Sequence, residues 1–239
     1  MTNTNSIFAQ LDQEVFALLK EFGYQPKVIF DIGASNGMWS SQINQVYPDA
    51  QYHLFEPLTE YFNDYKVLMD ETLHKHPNFS FHQCALGEKS GEIQMNAFSN
   101  QVGSTALVIA NNNPDVVQVP AEMWSLNDAM TELSLPNPQI IKMDTQGCEL
   151  SILKGATKIL DKVEVLLLES WLYRGYGVNT PLLSDIMDWL LTYNFRLWDI
   201  AGGFRNDEGV LGSIDCIFIN VNAFEKLKLD CIKPWYYST

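Results

Sequence analysis

Basic residues are scarce in this chain: 15 Lys and Arg stand against 29 Asp and Glu, a formal net charge of −14. Phosphate backbones need clustered cations, so sequence-independent nucleic-acid binding is all but excluded. Cysteines are few as well. Cys84, Cys148, Cys216 and Cys231 lie far apart, form no C-x-x-C pair and have no histidine spaced to complete a zinc site. A chain of 239 residues needs no disulfide staples, which points to four reduced thiols. No apolar run approaches the roughly 18 residues of a membrane span, and Met1 to Ser6 carry neither a Lys or Arg nor the apolar core of a leader. The expectation is a cytoplasmic protein without a membrane span. Repeats and Pro-, Gly- or Ser-rich linkers are also missing, so one large domain is expected. What is present is a composition 46% hydrophobic and 12% aromatic, enough for a full-sized core.

Apolar residues at Ile7, Leu11, Val15, Leu18, Leu19 and Phe22 recur at helical spacing and end at Gly23, which predicts a helix over about 6–22. Lys27 to Ile32 then reads as a buried strand running into Gly33. A helix over 37–47, a strand over Tyr52–Phe55, a helix over about 58–73 and a strand over Phe79–Ala85 follow. This alternation is the rhythm of βαβ units and a parallel sheet. Residues 90–120, with Asn111, Asn112, Asn113 and Pro114, break it and read as irregular; such long segments are usually functional. The alternation resumes with a helix near 125–133, strand Gln139–Met143, a helix over 148–160, strand Val163–Glu169 and a helix over about 181–192. The last two strands, Phe195–Ile200 and Ser213–Asn220, leave no room for a helix between them and form an antiparallel hairpin. The fold class is therefore α/β: seven strands, five of them parallel, helices on both faces and a C-terminal antiparallel hairpin.

Open parallel sheets bind ligands at the carboxyl ends of their strands. The first strand ends Asp31-Ile32-Gly33-Ala34-Ser35-Asn36-Gly37. The dinucleotide pattern G-x-G-x-x-G fails at Ser35 and Met38, and no Lys follows Gly37 as a P-loop requires. The D-x-G-x-x-x-G that is present suits a positively charged ligand, or simply makes a tight turn. Glu56, 25 residues after Asp31 at the end of the second strand, can accept both hydroxyls of a ribose. Asp144 and Glu169 end two further strands. Asp144 reads as a general base or substrate anchor, as an oxygen ligand with Glu169 of a divalent ion, or as a helix cap. Trp171, Tyr173 and Arg174, with Leu172, Gly175, Tyr176 and Gly177, and the stretch 97–120 are candidate walls of an acceptor pocket, since rings with polar tips suit sugars and amphiphilic metabolites. His53 and His82 fall within strands and His74 and His76 flank a turn; none has metal spacing.

The series FDIGASNG (30–37), FEP (55–57), CALGEKSG (84–91), GSTAL (103–107), SLND (125–128), KMDTQGCELSILKGA (142–156) and IDCIFIN (214–220) resembles the FkbM family of S-adenosylmethionine (SAM) dependent methyltransferases over residues 25–222. The resemblance implies the class I methyltransferase fold, strand order 3-2-1-4-5-7-6. Residues 1–24 are then an N-terminal helix packed on the core, 25–222 the methyltransferase domain and 223–239 a C-terminal tail. Asp31, Gly33, Ala34, Ser35, Asn36 and Gly37 would line the methionine part of SAM, Glu56 would take the ribose hydroxyls, and Cys84 and Ala85 would border the adenine. Asp144 would face the transferable methyl. Two positions depart from the family's pattern: Gln146, where Glu is common, and Ser35, where Asn is usual. The implied activity is O-methyl transfer to a sugar, glycolipid or secondary metabolite, with a small-molecule or glycan acceptor, a possible divalent metal and a possible homodimer. A SAM-binding accessory protein without catalysis is the alternative; a nicotinamide oxidoreductase is disfavoured by Ser35 and Met38.

Overall fold

The computed structural model describes residues 11–98, 103–107 and 115–224. The expected helical turn before Leu11, the Asn111–Pro114 run, Cys231 and the C-terminal tail beyond 224 lie outside them. The first helix, α1 (Leu11–Glu21), has Asp12 and Glu14 in its first turn and Lys20 in its last, the arrangement its dipole favours. It buries Val15, Phe16 and Leu19 in one core cluster with Ile43, Val46 and Tyr47.

Strand β1 (Val28–Ile32) is buried along its whole length, which is why it reads as a continuous apolar run broken only by Asp31. Then come α2 (Met38–Val46), β2 (Gln51–Phe55), α3 (Asn63–Lys75) and β3 (Phe79–His82). After three further strands and a helix described below, the sheet resumes with β7 (Ile140–Met143), α5 (Glu149–Lys154), β8 (Val165–Trp171), α6 (Leu183–Leu191), β9 (Phe195–Arg205), β10 (Leu211–Asn220) and the short α7 (Val221–Phe224). The large sheet runs β3-β2-β1-β7-β8-β10-β9. Counting only its own strands, that order is 3-2-1-4-5-7-6, with β9 and β10 antiparallel as expected. Two core clusters cover its faces. Ile29 joins Phe16, Ile43 and Leu54 on one side; Phe30 and Ile32 join Ile141, Ile152, Leu166 and Phe218 on the other, the period-2 alternation of a strand covered twice. The order reverses between β1 and β7, and at such a switch point the strand ends leave a crevice for a ligand.

The expectation of an irregular 90–120 is corrected at both ends of that stretch, over 91–98 and 116–120. β4 (Ala85–Gly87), β5 (Gly91–Phe98) and β6 (Val116–Ser125) form a second, three-stranded sheet in the order β4-β6-β5, followed by α4 (Leu126–Glu132). The signal was a faint period of two. Ile93, Met95 and Ala97 pack with Val119, Ala121 and Met123 on one face, while Glu92, Gln94 and Gln118 alternate with them. Pro120 within β6 and the polar outer positions disguise it, since Pro in a run argues against a strand. The third strand ends at His82, not Ala85, because Ala85 starts β4 in the second sheet.

Two helices are shorter than expected. α3 starts at Asn63, because Glu56 accepts the Leu58 N–H at 3.0 Å and a turn from Leu58 to Tyr61 precedes it. α5 ends at Lys154 because Gly155 presses on β4: a Cβ there would stand 2.0 Å from the Gly87 carbonyl oxygen. No helix among the described residues is long and apolar enough to cross a membrane.

Candidate functional site

At the carboxyl ends of β1, β2 and β7, the edge where open parallel sheets bind ligands, lies a cavity of about 200 Å³. Its walls include Gly33, Ser35, Glu56, Cys84, Ala85, Asp144, Gln146 and Cys148. Six residues predicted for the site from sequence therefore meet around one space, contributed by four separate segments.

The loop after β1 is held from both sides. The N–H groups of Gly33 and Ala34 donate to the Phe55 carbonyl at 3.0 and 3.1 Å, tying it to the end of β2. Gly33 has φ +73° and Ser35 φ +53°, so the chain winds through left-handed geometry twice in three residues. Glu56 closes the turn: its Oε2 accepts the Ser35 N–H at 3.0 Å while Oε1 accepts that of Leu58. Burial raises the Glu56 pKa, Asp31 adds to this, and the two N–H donors with Lys142 act against it. Carboxylate oxygens have about four acceptor sites, so two bonds leave room for a diol.

Asp31 faces away from the cavity, toward α2. It is fully buried, accepts the Ser40 hydroxyl at 2.7 Å and lies 3.0 Å from Lys142 Nζ. Lys142 in turn donates to the Gly33 carbonyl at 2.8 Å. Burial lowers the lysine's affinity for its proton, but the carboxylates of Asp31, Asp144 and Asp12 outweigh it and raise the pKa. Asp31 thus reaches the ligand loop through Lys142. Sequence reading passed over Lys142, although a lysine inside an apolar strand, in register with an aspartate on the neighbouring strand, is a recognisable sign of a buried pair. Ala34 is buried in the core. Asn36 accepts the Met38 N–H and, through its carbonyl, the Thr72 hydroxyl, and a Cβ on Gly37 would stand 2.8 Å from Thr72 Cγ2. These three shape the loop and the start of α2 without reaching the cavity wall.

Asp144 projects from the end of β7, 47% of its side chain exposed. It accepts the Gln146 amide at 2.8 Å and lies 4.0 Å from Lys142 Nζ. It does not cap α5. The N-cap position, Cys148, makes no side-chain cap bond; Glu149 at the first helical position instead ties down the preceding turn, its Oε1 accepting the Thr145 N–H at 2.8 Å and the Thr145 hydroxyl at 2.9 Å. Glu149 is buried, and burial pushes it up to about 7. Glu169 takes the Ser213 hydroxyl at 3.0 Å, and burial with the charges of Asp144, Glu149 and Asp215 raises it well above the usual carboxylate range. Among the described residues no group of three or more His, Cys, Asp or Glu side chains is arranged to hold a metal ion.

The thiols of Cys84 and Cys148 are pushed up by burial to about 12 and about 11, so both sit in the wall as apolar surface, not nucleophiles. The described cysteines, Cys84, Cys148 and Cys216, are free and buried.

The stretch Trp171–Gly177, from the last residue of β8 onward, does not line this cavity. Trp171 is buried and packs edge-on against Tyr173 and Tyr176. Tyr173 stands beside Gly212 on the hairpin. Arg174 is spent on its own loop, donating to the carbonyls of Val178 and Thr180 at 3.1 and 2.6 Å and lying 3.6 Å from Asp185. The residue of this segment that reaches the site is Tyr176, whose hydroxyl donates to Gln146 Oε1 at 2.5 Å.

The family model for the methyltransferase FkbM domain matches residues 31–197, most of the chain. Methyltransferase sdnD of Sordaria araneosa is 24% identical over 200 residues, 71% of this chain and 76% of that protein. Among solved structures, methyltransferase FkbM from Methylobacillus flagellatus KT is similar with TM-score 0.52 and 18% identity, covering 82% of this chain. This chain spans only 43% of the length of that one. The O-methyltransferase TomG from Streptomyces achromogenes, solved in complex with SAM, has TM-score 0.50 and 10% identity, covering 87% of this chain and 79% of TomG.

Proposed function

This chain belongs to the FkbM methyltransferase family, and from that premise we propose that it methylates a hydroxyl of a sugar, glycolipid or secondary metabolite, with Asp144 as the proton acceptor. The observation that carries the reading is the presence of two carboxylates in the wall of one cavity: Glu56, buried and locked to the glycine-containing loop, and Asp144, nearly half exposed and so accessible to an acceptor.

The residues lining the cavity suit SAM. Left-handed geometry at Gly33 and Ser35 brings backbone close to the ligand, Glu56 keeps acceptor sites for ribose hydroxyls, and Cys84, Ala85 and Leu86 offer a flat apolar border for an adenine. When bound, SAM supplies an electrophilic methyl on a positively charged sulfur. An acidic surrounding suits that charge: Asp144 lines the cavity, and behind it the buried Glu149 and Glu169 lie close enough to feel its carboxylate. Asp144 holds the acceptor hydroxyl by a hydrogen bond and takes its proton as the oxygen attacks, and fixing that approach supplies much of the rate. Lys142, 4.0 Å from Asp144, keeps the carboxylate paired before the acceptor arrives. The cofactor side of the site needs no metal in this scheme, and the metal's involvement is an added step that activity after chelation tests.

The experiment is calorimetric titration of SAM, S-adenosylhomocysteine (SAH) and NAD into the wild type, Glu56→Gln and Glu56→Ala, followed by turnover on a panel of hydroxylated acceptors. SAM and SAH should bind, NAD should not, and Glu56→Ala should weaken both by about tenfold or more, the loss of charge-assisted hydrogen bonds. Binding of NAD in place of SAM, or equal affinity in Glu56→Ala, would overturn the cofactor assignment.

A further inference from the structure

Gln146 has a backbone conformation that its side chain alone does not justify. It stands at φ +57°, where non-glycine residues rarely go, and such strain persists only when the surroundings over-determine it. Three contacts do so here. The Thr105 hydroxyl, fully buried, donates to the Gln146 carbonyl at 2.8 Å. The Tyr176 hydroxyl donates to Gln146 Oε1 at 2.5 Å, and Gln146 Nε2 donates to Asp144 Oδ1 at 2.8 Å.

Chemistry sets the direction of this chain. Burial, with Glu169, Asp144 and Glu149 nearby, raises the Tyr176 pKa and keeps the phenol protonated, so its hydroxyl is the donor. The amide oxygen therefore faces Tyr176, and the amide nitrogen is left facing Asp144. A glutamate at position 146 could not do this while ionised, having no proton to give. Tyr176 is itself held: its ring packs edge-on to Trp171 at 5.1 Å and its N–H donates to the Thr180 hydroxyl at 3.1 Å. Among the described residues, Asp144, nearly half exposed, has only this amide and the more distant Lys142 to choose its rotamer.

We propose that Gln146 and Tyr176 are positioning residues, a two-bond relay that aims the Asp144 carboxylate at the methyl end of the cofactor cavity. This rests on the reading of Asp144 given above. It also couples the loop after β8 to the carboxylate: whatever orders Tyr176 orders Asp144.

The test needs no acceptor. SAM carries a positive sulfur and SAH a neutral one, so the ratio of their dissociation constants reports a carboxylate aimed at that atom. Calorimetry measures both ligands on the wild type, Asp144→Asn, Gln146→Met, Tyr176→Phe and the double variant Asp144→Asn/Gln146→Met. Asp144→Asn should lower the preference for SAM about tenfold, as loss of a nearby opposite charge does. Gln146→Met and Tyr176→Phe should each lower it about three- to fivefold with SAH affinity kept, and the double variant should match Asp144→Asn alone, since coupled groups are not additive. Two failures are distinguishable. An unchanged ratio in Asp144→Asn sinks the assignment of Asp144 to the methyl end, and the relay with it. A lowered ratio there, with the wild-type ratio kept in both Gln146→Met and Tyr176→Phe, overturns the relay alone. Tyr176→Phe removes one oxygen and no carbon, which guards the test against misfolding of Gln146→Met.

Discussion

A Cβ placed on Gly33 would stand 2.0 Å from the carbonyl oxygen of Asp144. The first loop of the site and the strand end that carries its open carboxylate are thus packed backbone to backbone, at a distance only a glycine permits. Gly33→Ala must either push β1 and β7 apart or twist out of φ +73°, and its methyl has no flexible side chain to displace. We expect a loss of about 3 kcal/mol or more in urea unfolding, the scale of an incompatible Gly→Ala change combined with a core clash. SAM binding should go with it. A variant with wild-type stability and affinity would show that the loop is not held against β7.

Lys142 and Asp31 form a buried pair, 3.0 Å apart, with 8% and 0% of their side chains exposed. Removing one partner leaves the other charged in the core. Lys142→Met should cost about 3–5 kcal/mol, and Asp31→Leu/Lys142→Met together should cost clearly less than the sum of the singles. Because Lys142 also holds the Gly33 carbonyl, SAM affinity should stay low even in the double variant. Additive stabilities in chemical denaturation would show that the pair contributes nothing as a pair.

His53 and His82 share one hydrogen bond, Nδ1 to Nε2 at 3.0 Å, and their rings stack. One ring must donate and the other accept, so double protonation breaks the bond. Burial, then repulsion from His82, lowers His53 to about 4, and burial lowers His82 too. The folded pKa lies below the unfolded 6.5, so the unfolded chain binds the proton first. The stabilisation is complete above about pH 6.5 and is lost as pH falls toward 4. The His82 carbonyl also accepts the N–H groups of Glu56 and Cys84, both in the cavity wall. Acidification over that window should therefore weaken SAH binding along with stability, and His53→Phe should flatten both slopes. A slope unchanged by His53→Phe would assign it to other groups.

Much of the fold was legible because the strands of the large sheet are buried on both faces and read as apolar runs bounded by Gly, Pro and Asn. The cavity wall was legible for the same reason, since Gly33, Glu56 and Asp144 each sit where such a run stops. The second sheet was not. Its two longer strands, β5 and β6, are half exposed and carry Gln and Glu on the outer side, and β6 contains Pro120, so local pattern and local propensity disagree. Side-chain partners were the hardest part. Asp31 faces away from the cavity because Lys142 stands beside it in the parallel register, and Arg174 folds back on its own loop carbonyls. Neither follows from spacing along one segment; both depend on which segments lie side by side.

Asp215 on β10 pairs in register with Glu169 and is pushed up to about 7 by burial, with the charges of Asp12 and Asp144 adding and Lys142 opposing. Here the sign reverses relative to the histidines. The folded pKa lies above the unfolded 3.8, so the native state binds the proton more tightly. That stabilisation is full below about pH 4 and disappears as pH rises through 7. Asp215→Asn removes the titrating group, so its stability relative to the wild type should climb between pH 4 and 7 and level off above. Urea midpoints at pH 4, 5.5, 7 and 8.5 measure it; a difference that stays constant across the series would show that the Asp215 carboxylate is not under strain. A cationic ligand in the site should damp the same slope, because it stabilises the ionised carboxylates that burial disfavours. SAM at saturation should therefore narrow the gap between Asp215→Asn and the wild type at pH 7 more than SAH does.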